Sequence, residues 1–193
     1  MTLLASAPPQ AALDAARAGV AQLKATPGMV SRDALGDEPG ATYLAAPHQV
    51  FHVGLNDAIR GRPIEHARRG GWRFMLTNES RALAAVHVRE CDEAPESYVF
   101  SQLNSGPSVD STVEALHRLE TAGEEFRELR LLDVPALYLE ALWLHGDEDD
   151  RFMPLHPAPP SFEPYRLYSA DEFSRVVTEV AAKRGEGPAL APP

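Results

Sequence analysis

At 193 residues the chain is long enough for one well-packed domain, and 44% apolar with 24% charged residues excludes wholesale disorder. A net charge of −10, from 28 acids against 18 basic residues, opposes general binding to nucleic acid phosphates or anionic lipid. No run approaches the ~20 apolar residues that span a bilayer, because the longest, VPALYLEALWLHG, is broken by Pro135 and Glu140, so no membrane association is expected.

The first 20 residues carry no basic region before their first apolar residues and place Asp14 where an export signal would be apolar. A single cysteine, Cys91, precludes an internal disulfide. Both features fit a cytoplasmic location.

Residues 1–9 form a Pro-containing leader, after which Ala12, Ala16, Val20 and Leu23 recur on one helical face until Pro27-Gly28 stops the pattern. Residues 27–41 are rich in turn formers. TYLAAPHQVFHVG (42–54) is β-prone, and Pro47 suggests two short strands or an edge segment. GWRFMLTN, RALAAVHVREC and YVFSQLNSG then predict an antiparallel meander, with a DEAPES loop before the third strand. Strand alternation puts His87 and Arg89 on the face opposite Val86 and Val88. Ser108-Val109-Asp110 opens a helix whose stripe runs Val109, Val113, Leu116 and Leu119 or Glu120 and ends at Gly123.

A second round follows: EFRELRLLDV, Pro135, ALYLEALWLHG, an acidic DEDD loop, RFMPLHP, and a closing helix started by Ser169 or Asp171. Strand, strand, strand, helix thus occurs twice, which suggests a duplicated βββα arrangement without residue-level identity. The expected class is α+β: one domain over 10–184, with a largely antiparallel sheet, helices on one face and an N-terminal helix. The tail at 185–193 has no periodicity and is expected to be loosely attached.

Few candidate sites assemble in the sequence. The DEDD loop fails as a calcium loop, since Arg151 and Phe152 interrupt the alternating ligands and Ala158 holds the twelfth position. Pairing of 136–145 with 151–156 would put His145 by the turn and His156 at the far end, too far apart to share an ion. His48 and His52 have zinc spacing only on a helix, and their segment reads as a strand. Glu140 is expected to face solvent from the outer side of its strand. No nucleophile elbow or phosphate-binding glycine loop is present, and Cys91, flanked by Glu90 and Asp92, is not expected to be a reactive thiolate. No catalytic residue, metal or cofactor is therefore assigned.

One local feature remains. Arg60, Arg62, Arg68, Arg69 and Arg73, with Glu65 the one acid among them, give 60–73 a charge of +4 and leave −14 on the remainder. With Trp72 as an anchor they are candidate binding residues for an acidic partner or a phosphate-bearing ligand. The leading expectation is a non-catalytic binding or accessory protein acting through protein partners or self-association, motivated by the apolar strands AVHV and ALYLEALWL. Its competitors are a hydrolase or metal-dependent enzyme in which His48, His52, His87, Glu140 and His145 converge, and a small-molecule carrier with a ligand cleft.

Overall fold

The structure is a computed structural model that describes residues 7–26, 41–79, 81–91, 94–123, 128–146 and 149–185. Helix α1 (Gln10–Ala25) buries the predicted face, Ala12, Ala16, Val20 and Leu23. It leads into strand β1 (Tyr43–His52), and helix α2 (Leu55–Ile59) with a 3-10 turn at Pro63–His66 connects β1 to β2 (Arg68–Thr77). β3 (Ala82–Cys91) and β4 (Ala94–Asn104) complete the first meander, and α3 (Pro107–Ala122) follows, capped by Gly123 at φ 66°. β5 (Glu128–Val134), β6 (Leu139–His145), β7 (Arg151–Pro154) and β8 (Tyr168–Ser169) form the second, before α4 (Ala170–Gly185). No described helix is long and apolar enough to cross a membrane.

The eight strands make one sheet in the order β4-β3-β2-β1-β5-β6-β7-β8. Among the described residues β1 and β5 form its one parallel pair, Val50 opposite Leu131, and every other neighbour is antiparallel. The α+β class, the largely antiparallel sheet and the N-terminal helix are as the sequence predicts. β1 is neither split nor at an edge. Its register shifts between Ala45 and His48, so the bulge at Ala46-Pro47 absorbs the proline whose missing N–H would otherwise interrupt a central ladder. β4 begins at Ala94 and takes in most of the predicted loop. β4 lies at the edge of the sheet, and its ladder with β3 shifts register between Glu90 and Cys91, where strand pairing is irregular.

Helices occupy both faces of the sheet. α1 packs on Trp72, Phe74, Leu76, Ala84, Val86 and Val88 in one half. α4 covers Leu132, Ala141, Trp143 and Phe152 on the same face of the other half, where Phe152 stacks on Phe173 at 4.5 Å between centroids. Ser169 caps α4, its Oγ accepting from Glu172 N at 3.3 Å. α3 lies on the opposite face, with Ala115 and Leu119 against Val50, Leu129, Leu131, Leu142 and Leu144. The expected one-faced arrangement thus holds for α1 and α4 and not for α3.

That placement also bears on the duplication. Both meanders run outward from β1, but β2-β3-β4 and β5-β6-β7 run in opposite senses, so only a twofold normal to the sheet could superpose them, and such an axis keeps helices on one face. With α3 and α4 on opposite faces, the two βββα units are not symmetry mates. Val86 and Val88 of AVHV and Leu142 and Trp143 of ALYLEALWL are buried in the chain's own core, whereas Tyr138 of the second segment is 74% exposed.

Candidate ligand-binding cleft

Strand alternation determines which side chains meet beneath α3. On that face the register aligns His48 of β1, Arg73 of β2, His87 of β3 and Gln102 of β4. A second row comprises His52 of β1, Asp133 of β5 and Glu140 of β6. Seven polar positions from six strands therefore share one face, half of which α3 covers.

Arg73 is the centre of the buried part, with no exposed surface. Its Nη1 donates to Glu140 Oε2 at 3.5 Å, and its Nη2 donates to the Thr112 hydroxyl. Ser108 Oγ donates to the same Glu140 oxygen at 3.1 Å. Two residues in the first turns of α3 thus face an ion pair supplied by the sheet. This differs from the predicted stripe: Val109, Thr112, Ala115 and Leu119 are buried, whereas Val113 is 45% exposed. Hydropathy alone turns the helix the other way, because it cannot register that Thr112 has a guanidinium to meet. Nor does the Ser108 side chain cap the helix.

Burial dominates the titration of the neighbouring histidines. His48 is pushed down to about 3 by desolvation, reinforced by Arg73 and His87. His87 is also pushed down to about 3, by burial first and then by Arg73 and His52. Burial lowers the Arg73 pKa as well, opposed by Glu140 and Asp133, which favour the charged form. The histidines are therefore neutral at pH 7, and Arg73 is the buried cation. Among the described residues neither ring nitrogen of His48, nor Nε of Arg73, has a hydrogen-bond partner.

Beside this buried cluster the sheet opens into a cleft. Its inner part, about 120 Å³, is lined by the polar His52, His87, Gln102, Asp133 and Glu140, by the apolar Val50, Val88 and Leu131, and by Gly70, Arg89 and Ser101. The outer part, about 510 Å³, shares His52, Gly70, Arg89 and Ser101 and adds Arg69, Glu90 and Cys91. His52 Nδ1 donates to Asp133 Oδ2 at 3.1 Å. The His52 ring lies over Gly70, where a Cβ would stand 2.1 Å from the imidazole, so any larger residue at 70 would displace it.

The predicted binding residues are divided by this geometry. Arg60, Arg62, Arg68 and Arg69 are exposed, whereas Trp72 and Arg73 are buried on opposite faces of β2. The alternating strand that carries Trp72 into the α1 core necessarily turns Arg73 under α3. Neither is a surface anchor. Arg60 and Arg68 lie beside Asp57, and Arg62 beside Glu65, at 3.4–3.6 Å. Of the four exposed arginines, only Arg69 lines the cleft.

Four of the five dispersed residues, His48, His52, His87 and Glu140, gather in or next to the cleft. His145 stays apart and pairs with Asp150 at 2.7 Å near the hairpin turn. Glu140, expected in solvent, instead engages Arg73, since α3 covers the face that would have been outermost. Asp133 and Thr112 are not singled out by sequence, Arg89 is placed on that face only by strand alternation, and Ser108 only as a helix start. Alternation groups His87 with Arg89 on one face, but it does not reveal that Glu140 of a distant strand shares that face. Among the described residues no group of three or more His, Cys, Asp or Glu side chains is placed to hold a metal.

No protein-family model matches the chain, and no curated protein or solved structure is significantly similar to it.

Proposed function

We propose that the chain is a cytoplasmic binding protein for a small polar molecule, held in the cleft lined by His52, His87, Asp133 and Glu140. The observation that supports this is convergence: β1, β3, β5 and β6 each contribute an ionisable side chain to one concavity. A sheet face covered only for packing would be apolar there, as it is farther along β5 and β6 under α3. The outer volume is within the usual range of small-molecule sites. A binding role is favoured over nucleophilic catalysis because, among the described residues, no hydroxyl or thiol is hydrogen-bonded to a cleft histidine.

Ser101 is exposed on the edge strand and lines both parts of the cleft, so Ser101→Trp would obstruct it without disturbing the core. Screening amino acids, sugars, nucleosides, amines and carboxylates by thermal shift should find a stabilising class, with a rise of roughly 5–10 °C at 100 times Kd. The Ser101→Trp variant should lose that rise. An unmoved melting temperature across every class, or equal stabilisation of the variant, would reject the cleft as the site.

A second reading is docking of an acidic protein through Arg60, Arg62, Arg68 and Arg69, favoured by their exposure along the β1–β2 connection and the start of β2. Arg68→Glu with Arg69→Glu should then reduce partner recovery in a pull-down. Unchanged recovery would remove it.

A further inference from the structure

The two parts of the cleft differ in charge. The inner part holds the carboxylates of Asp133 and Glu140, and the outer part adds Arg69 beside Arg89. Each inner carboxylate commits one oxygen, Oδ2 of Asp133 to His52 and Oε2 of Glu140 to Arg73 and Ser108. Oδ1 of Asp133 and Oε1 of Glu140 have no protein partner among the described residues. The arginines contrast with their neighbours in the same way. Arg60, Arg62 and Arg68 have carboxylates within 4 Å, whereas Arg69 and Arg89 make no ion pair among the described residues. Glu90, the acid of the outer part, accepts from Glu96 N at 3.2 Å through its Oε1.

We propose that the ligand is a small zwitterion, an amino acid or close analogue, with its ammonium between Asp133 and Glu140 and its carboxylate toward Arg89 and Arg69. This rests on the small-molecule reading above and specifies its chemistry. An ammonium offers three donors to oxygens that lack them, and a planar guanidinium pairs well with a carboxylate. The inner space holds several waters or one such headgroup, while the outer space accommodates the rest. A dianion would meet the inner acids, and a neutral sugar would leave both charged ends uncompensated.

Titration of the 15N-labelled 193-residue chain with the standard amino acids, γ-aminobutyrate, propylamine, propionate and glucose separates the possibilities. At least one zwitterion should bind ten-fold or more tightly than propylamine or propionate, shifting amide signals of β3, β5 and β6. Arg69→Gln with Arg89→Gln should reduce its affinity to that of propylamine, and Asp133→Asn to that of propionate. The spectra themselves report whether each variant is folded. If propylamine or propionate alone binds as tightly as any zwitterion, or glucose binds best, the zwitterion assignment is overturned while the small-molecule site stands. If no probe in this set or in the wider thermal screen binds, both fall together.

Discussion

His48 carries an imidazole into a space where neither nitrogen has a hydrogen-bond partner among the described residues, and stability should record the cost. A folded value near 3 against about 6.5 unfolded means that the unfolded chain binds more protons below pH 6.5. The stabilisation is complete above pH 6.5 and is lost progressively as pH falls toward 3. Between pH 7.5 and 5 each of His48 and His87 should remove about 2 kcal/mol from the unfolding free energy. His48→Leu should therefore lose about half of that slope in urea titrations, at little cost or a gain at pH 7.5. An identical slope in the variant would show that His48 is not the group held neutral.

Arg73 poses the opposite problem, since its charge persists inside. Glu140→Leu should destabilise by about 2–3 kcal/mol, less than for a fully buried pair because Glu140 retains contact with water. Arg73→Met combined with Glu140→Leu should recover most of the loss, as no guanidinium then lies unpaired in the interior. Additive losses in the double-mutant cycle would mean that the two side chains do not act as a pair.

At the scale of elements, α1 approaches the sheet closely at Gly19, where a Cβ would stand 2.1 Å from Phe100 of β4. Helix propensity alone favours alanine there by about 1 kcal/mol. The contact with an aromatic ring in a packed interface should outweigh it, so Gly19→Ala should lower stability and speed amide exchange across residues 10–25. Stabilisation by Gly19→Ala would show that α1 is held less tightly than its burial implies. α1 was legible because its buried face is wholly apolar or small, whereas the face of α3 was misread by about one residue because Thr112 buries against a charge.

At the scale of the molecule, Trp72 lies in the α1 half of the core and Trp143 in the α4 half. They are joined through β1, whose ladders run to β2 on one side and β5 on the other. If the continuous sheet makes the halves cooperative, Trp72→Phe and Trp143→Phe, each retaining one fluorophore, should give urea transitions of the same sharpness after correction for their own stability. Two separated transitions in the unsubstituted protein would divide the chain into independent units.

By itself, the sequence determined the local elements: the alternation of AVHV, the face of α1 and the glycine stop of α3 all follow from interactions within a few residues, as does the start of α4 at Ser169 or Asp171. The α+β class follows from their order. Tertiary structure alone decided that Pro47 falls in a bulge of a central strand, that α3 crosses the face opposite α1 and α4, and that Glu140 meets Arg73. Those outcomes depend on which strands become neighbours, and pairing β1 with β5 brings together residues some 80 positions apart in the chain. A side chain's periodicity reveals the face it occupies, but the partner waiting on that face is supplied by a distant strand or helix.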